Sequence, residues 1–209
     1  MMTKKAVKIP INSVSLLGDL VIPERAKKIV IFAHGSGSSR LSPRNVYVAD
    51  ILNQAGIATL LFDLLTEKED EIYATRFDIP LLAKRLKIVT SWLKDQKEFK
   101  NFKVGYFGAS TGAAAALIAA AELGSEIFAA VSRGGRPDLA MDCLAQVKSP
   151  VLLMVGGDDY DVIELNKQAD AKIKSEKKLS IIPGATHLFE EPGTLEEVAK
   201  QAASWFTKY

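Results

Sequence analysis

Six short apolar runs, each followed by a segment of helical spacing, constrain this chain more than any other feature. The runs cover residues 29–33, 57–62, 104–107, 128–131, 151–155 and 179–182. They are near-continuous rather than alternating, the pattern of strands buried on both faces. Helical spacing appears at 46–54, 79–94, 111–123, 139–146, 162–173 and 195–206. Helices inserted between buried strands predict a mostly parallel, doubly wound sheet covered on both faces. Residues 7–22 alternate more loosely and predict an antiparallel edge hairpin. No repeat or low-complexity linker interrupts the 209 residues, so a single domain over 1–209 is expected.

In such a sheet, ligands bind beyond the carboxyl ends of the strands. Polar and glycine residues gather at those ends: His34 to Gly37, Asp63-Leu64, Gly108 to Ser110, Arg133 to Arg136, Gly156 to Asp159 and Gly184 to His187. The most specific is Gly108-Ala109-Ser110-Thr111-Gly112, a G-x-S-x-G pattern between a strand and an alanine-rich helix. A serine on so sharp a turn is held strained, with its hydroxyl above the sheet. Ser110 is therefore the candidate nucleophile; the plainer reading is an ordinary helix N-cap.

A serine hydroxyl needs a base. Of the two histidines, His187 follows the last strand, the position the order serine-acid-histidine requires. The acid should precede it, and Asp158, Asp159 and Asp161 follow the strand at 151–155. Asp159 is the first choice, then Asp161, then Asp158, with helix capping expected of an unused one. Backbone N–H groups of Ser36 and Thr111 are the expected oxyanion donors, and His34 is expected to brace its loop. Attack needs a neutral His187, so activity should rise as that imidazole loses its proton.

The stretch Gly35-x-Gly37-x-x-Arg40, with Asp63 further on, also suggests a dinucleotide fingerprint, but Arg40 stands where the third glycine belongs. The histidines lack metal-site spacing and Cys143 is the lone cysteine, so no metal or cofactor is expected. With 27 Lys+Arg against 25 Asp+Glu, nothing favours nucleic acid or an anionic membrane as partner. No apolar run resembles a signal peptide or membrane span, which makes the cytoplasm the expected location.

Together these motifs resemble the α/β-hydrolase fold, and more closely its dienelactone-hydrolase-like family, with minimal or no cap domain. The resemblance runs over nearly the whole chain, through His34 to Arg40, Asp63 to Thr66, Gly108 to Gly112, Ser132 to Pro137, Gly156 to Asp159 and Thr186-His187. It implies a Ser110–Asp159–His187 triad and hydrolysis of small carboxylic esters or lactones. Dienelactone hydrolases proper use a cysteine nucleophile, so the family name does not carry the substrate. A thioesterase, a small peptidase or a non-catalytic binding protein on the same fold stays open. Arg133 or Arg136 could pair with a substrate carboxylate, or be a structural ion pair or loop brace. Tyr160 and Phe189 could line an apolar acyl site or simply pack. Residues 66–78 could form a small lid or a solvated loop.

Overall fold

Eight strands in the order β1-β2-β4-β3-β5-β6-β7-β8 form one sheet in the computed structural model, which describes residues 1–209. β1 (Met2–Ile11) and β2 (Val14–Pro23) make the expected antiparallel hairpin, longer at both ends than alternation suggests. β2 pairs antiparallel with β4 (Ala58–Phe62). The remaining strands are parallel: β3 (Lys28–Ala33), β5 (Lys103–Ala109), β6 (Ile127–Arg133), β7 (Val151–Gly156) and β8 (Lys177–Ile182). This is the α/β-hydrolase fold.

Successive side chains of a strand face opposite sides, so each central strand feeds two cores. Ile29, Ile31 and Ala33 of β3 join one apolar cluster with Tyr106, Ala130 and Leu153. α3 (Ile79–Asp95), α4 (Thr111–Leu123) and part of α5 (Tyr160–Lys172) cover that face. Val30 and Phe32 point the other way, into a cluster with Phe107, Val131 and Met154 under α1 (Pro43–Gln54) and α6 (Thr194–Lys208). No helix is long and apolar enough to cross a membrane.

Two segments differ from the sequence reading. Residues 139–146 do not form a helix; two 3₁₀ turns, Pro137–Ala140 and Leu144–Gln146, take their place. The stretch is anchored by buried Ala140, Leu144 and Val147, and so short a run gains too little from helical propagation to resist that packing. Residues 66–78 are neither a free lid nor a plain loop. A short helix α2 (Glu67–Asp70) begins with a capping box between Thr66 and Glu69, and a 3₁₀ turn Tyr73–Phe77 follows. The Glu69 carboxylate accepts two hydrogen bonds from the buried Arg85 guanidinium, at 2.5 and 2.8 Å, and Arg76 donates to the Asp70 carbonyl at 2.6 Å. The Arg85 bonds tie the segment to α3, and the Arg76 bond closes the segment on itself.

Arg85 and the Thr66 cap hold the Glu69 carboxyl down at about 2, against an ordinary 4.5. Burial holds the His34 imidazole below its ordinary 6.5. Both folded values are depressed, so each contribution is complete above the unfolded value and is lost as pH falls toward the folded one. Stability to urea should therefore decline in two stages: first below about 6.5 through His34, then between about 4.5 and about 2 through Glu69. Denaturant titrations across pH check this. His34→Asn should remove His34's share of the upper stage, and an unchanged upper slope in that variant would contradict the assignment.

Candidate active site

The Ser110 backbone carries φ 51° and ψ −122°, a combination side chains other than hydrogen rarely adopt. The turn holds because its neighbours leave the chain no other path. A Cβ at Gly108 would lie 2.4 Å from the Ala113 Cα, and one at Gly112 would lie 2.2 Å from the Ala33 carbonyl oxygen. The two glycines thus let α4 start directly on top of β5 and against β3. The β6 end clamps the turn: Ser110 N–H donates to the Arg133 carbonyl at 3.2 Å, and Arg136 N–H donates to the Ser110 carbonyl at 3.1 Å. Ser110 does not cap the helix with its side chain, which is left free above the sheet.

His187 and Asp159 come from the ends of β8 and β7. Gly157 N–H donates to the Ile182 carbonyl at 2.7 Å and Asp158 N–H to the Ala185 carbonyl at 2.9 Å, stitching the two loops together. His187 Nδ1 then lies 2.7 Å from Asp159 Oδ2. An ionised carboxylate accepts only, so this contact puts the proton on Nδ1 and leaves Nε2 as the acceptor. Asp159 is the N-cap residue of α5 yet makes no capping bond. Asp158 and Asp161 are exposed and do not cap α5 through their side chains either, contrary to the expectation of a capping role. Glu191, which the sequence did not single out, closes the histidine loop by accepting from Thr186 N–H at 3.1 Å and Thr186 Oγ1 at 2.6 Å.

Ser110 and His187 line one cavity of about 230 Å³. No hydrogen bond joins them at this side-chain setting; Asp159 is not part of the cavity wall and reaches the site only through its bond to His187. Ser36 and Arg133 line the same cavity, together with Arg44 and Asn45 of α1. Ala109 and Leu188 are its hydrophobic residues, and the other residues that line it are polar, charged or glycine.

The Ser36 N–H is engaged: it donates to Thr111 Oγ1 at 2.9 Å. The Thr111 N–H stands at the first position of α4, where a helix offers no partner. His34 braces its loop, as expected. Its Nε2 accepts from Leu64 N–H at 3.0 Å and its Nδ1 faces the Gly35 carbonyl at 2.9 Å, which requires the neutral ring that its lowered pKa favours. Asp63, the acid of the dinucleotide alternative, is spent on Arg40, accepting from its N–H at 2.8 Å and its guanidinium at 2.5 Å.

The proposed substrate contacts divide. Arg136 donates twice to Asp138 at 2.8 Å, the structural ion pair of the plainer reading. Arg133 has no carboxylate partner. Tyr160 is 73% exposed and outside the cavity wall, and Phe189 is 1% exposed, packed in the α1/α6 core. Neither lines an apolar acyl site: Tyr160 sits in the outward-facing first turn of α5, while Phe189 turns inward through a positive φ of 56°.

The dienelactone hydrolase family matches residues 18–208. The chain belongs to that family. It is therefore a hydrolase-family protein on the α/β-hydrolase fold. A crystal structure of a dienelactone hydrolase from Anabaena variabilis superposes with a TM-score of 0.97 at 55% identity, over 100% of this chain and 98% of that one. Est1E from Butyrivibrio proteoclasticus shares the fold, with a TM-score of 0.81 at 18% identity over 97% and 98% of the two chains. Two Mycobacterium tuberculosis proteins, both called "Putative phosphoribosyl transferase", are 58% identical over 200 residues, 96% of this chain. The chain spans 45% of the length of those curated relatives.

Proposed function

We propose that the protein hydrolyses small carboxylic esters or lactones through an acyl-enzyme on Ser110. The observation that carries this reading is the strained Ser110 turn facing the same cavity as a His187 ring already bonded to Asp159. In the first step, Ser110 Oγ attacks the ester carbonyl and its proton passes to His187 Nε2. Collapse of the tetrahedral intermediate expels the alcohol, which takes that proton. Water, deprotonated by the same nitrogen, then releases the acid and restores Ser110. Asp159 holds the imidazole in the tautomer that leaves Nε2 open and stabilises the imidazolium. The reading requires a Ser110–His187 hydrogen bond to form when substrate binds, as catalytic hydrogen bonds often tighten only in the Michaelis complex.

The Thr111 and Ser36 N–H groups are proposed as the oxyanion donors. Ser36 must then turn its N–H from Thr111 Oγ1 toward the oxyanion, exchanging a neutral hydrogen bond for a stronger charge-assisted one. Family membership and the Anabaena neighbour support hydrolysis. The transferase name belongs to relatives more than twice as long, so it supports no activity for this chain.

A fluorophosphonate probe tests the reading directly. Stoichiometric labelling that maps to Ser110, is prevented by Ser110→Ala and accompanies turnover of p-nitrophenyl acetate is expected. A folded protein that resists the probe and turns over none of a matched ester, thioester and amide set would favour a binding role instead. Preference for the thioester or the amide would move the assignment to a thioesterase or a peptidase.

A further inference from the structure

Asn166 is fully buried in the body of α5, a place where an apolar side chain would cost less. Its Oδ1 is buried with no partner, so the amide is not there for its oxygen. Its Nδ2 donates to two carbonyls. One is Val162, a turn back in the same helix, at 2.8 Å; the other is Gly135, past the end of β6, at 3.0 Å. Those two acceptors fix the orientation of the amide, since only the nitrogen can donate to them. The Gly135 carbonyl lies beyond the β6 ladder, which ends at Arg133. Asn166 thus supplies it with a donor that the sheet does not.

The loop that Asn166 holds meets both the nucleophile and the base. On one side, the Arg133 carbonyl and the Arg136 N–H clamp the Ser110 backbone, at 3.2 and 3.1 Å. On the other, Gly134 stands against the histidine: a Cβ there would lie 3.1 Å from the His187 carbonyl oxygen and 3.6 Å from its ring carbon Cε1. The Gly134 N–H is fastened to the Met154 carbonyl of β7 at 2.8 Å. At the far end of the Asn166 bond, α5 is capped by Asp159, the residue bonded to His187 Nδ1. The Asn166–Gly135 bond is therefore a strut. It joins the helix that carries the acid to the loop that lies between the nucleophile and the base.

We propose that Asn166 is a positioning residue: through the Gly135 carbonyl it sets the separation between Ser110 and the His187–Asp159 pair. The Ser110 proton must cross that separation during attack. The two side chains share no hydrogen bond in this structure, so their approach depends on how the loop is held. A misplacement of about 1 Å in such a site costs on the order of 100-fold in rate. The kinetic half of the inference rests on the hydrolytic reading; the geometric half does not.

The kinetic arm is a double-mutant cycle on p-nitrophenyl acetate with His187→Ala and Asn166→Leu, which keeps the branched shape of the amide and lacks its donors. In the otherwise wild-type enzyme, Asn166→Leu should lower kcat about 10- to 100-fold while KM changes by less than about twofold. In the His187→Ala background the same substitution should cost less than about twofold, because no base is left to align. Equal losses in both backgrounds would mean that Asn166 serves the fold alone, and would overturn the proposal; so would an undiminished kcat in Asn166→Leu. The structural arm needs no turnover. Crystal structures of wild type and Asn166→Leu should show the loop from Gly134 to Arg136 displaced and the distance from Ser110 Oγ to His187 Nε2 changed. An unmoved loop would overturn the strut whatever the activity. A displaced loop together with hydrolysis indifferent to His187→Ala, or with no hydrolysis in wild type, would overturn the hydrolytic reading and leave the strut standing. Should Asn166→Leu fail to fold, Asn166→Ala, which adds no atom to the core, carries both arms.

Discussion

Ser110→Ala is expected to lower kcat on short-chain p-nitrophenyl esters by about 10⁴-fold or more while leaving the melting temperature unchanged or raised. The rate effect follows from losing the only group able to form the acyl-enzyme; what is left is catalysis by positioning and oxyanion donors. The stability effect follows from the backbone. Ser110 holds φ 51° and makes no side-chain hydrogen bond, so alanine removes no contact and keeps the same strain. Asp159→Asn should cost a comparable factor in kcat, because an amide at 2.7 Å from Nδ1 can present its NH₂ and turn the ring proton to Nε2. Measuring both by steady-state kinetics is decisive. An Asp159→Asn enzyme within threefold of wild type would mean that another group orients the imidazole, and a fully active Ser110→Ala would end the nucleophile assignment.

Gly112→Ala is expected to destabilise the protein by at least about 3 kcal/mol, a drop of roughly 6–12 °C in Tm for a chain of this size. The added methyl would stand 2.2 Å from the Ala33 carbonyl and 2.4 Å from the His34 carbonyl. Both are backbone atoms of β3 and its loop, so relief requires α4 to move off the sheet. Gly56→Ala is the control, since nothing lies within 4 Å of its Cβ and its positive φ of 79° costs about 1 kcal/mol alone. If thermal and urea unfolding place the two variants together, the close approach of α4 to β3 does not have the energetic weight assigned to it. Because Gly112 sets where the helix starts, the surviving folded fraction should also be catalytically poorer.

The glycine pair shows why so much of this architecture is legible in one sequence. Strand periodicity, the alanine-rich helix and G-x-S-x-G are local patterns, and each reports a constraint acting within a few residues: burial on two faces, close helix packing, a turn with no room for Cβ. Their order along the chain then dictates which strand ends meet at the rim, because parallel strands must return by crossovers. The 139–146 stretch shows the limit. Its spacing suits a helix, but the space between α4 and α5 dictates two 3₁₀ turns, and that space is made by residues far away in sequence.

Within the site, pattern alone narrowed the acid to three aspartates, and loop stitching between β7 and β8 brought Asp159 onto His187 while leaving Asp158 and Asp161 in solvent. Likewise, Arg133 and Arg136 are indistinguishable as letters at a strand end. Arg136 has Asp138 two residues away, a partner a sequence reader could have paired, whereas the isolation of Arg133 depends on every carboxylate that does not come near it. The sequence by itself therefore determined the fold, the order of the reactive residues and the rim on which they gather, since these rest on short-range chemistry and chain connectivity. Which acid meets the histidine, that Ser36 N–H is engaged by Thr111, that Phe189 faces inward, and that one cation is left buried without a counter-charge were decided by the tertiary structure alone, because distances between loops from different strands exist only after the chain has packed.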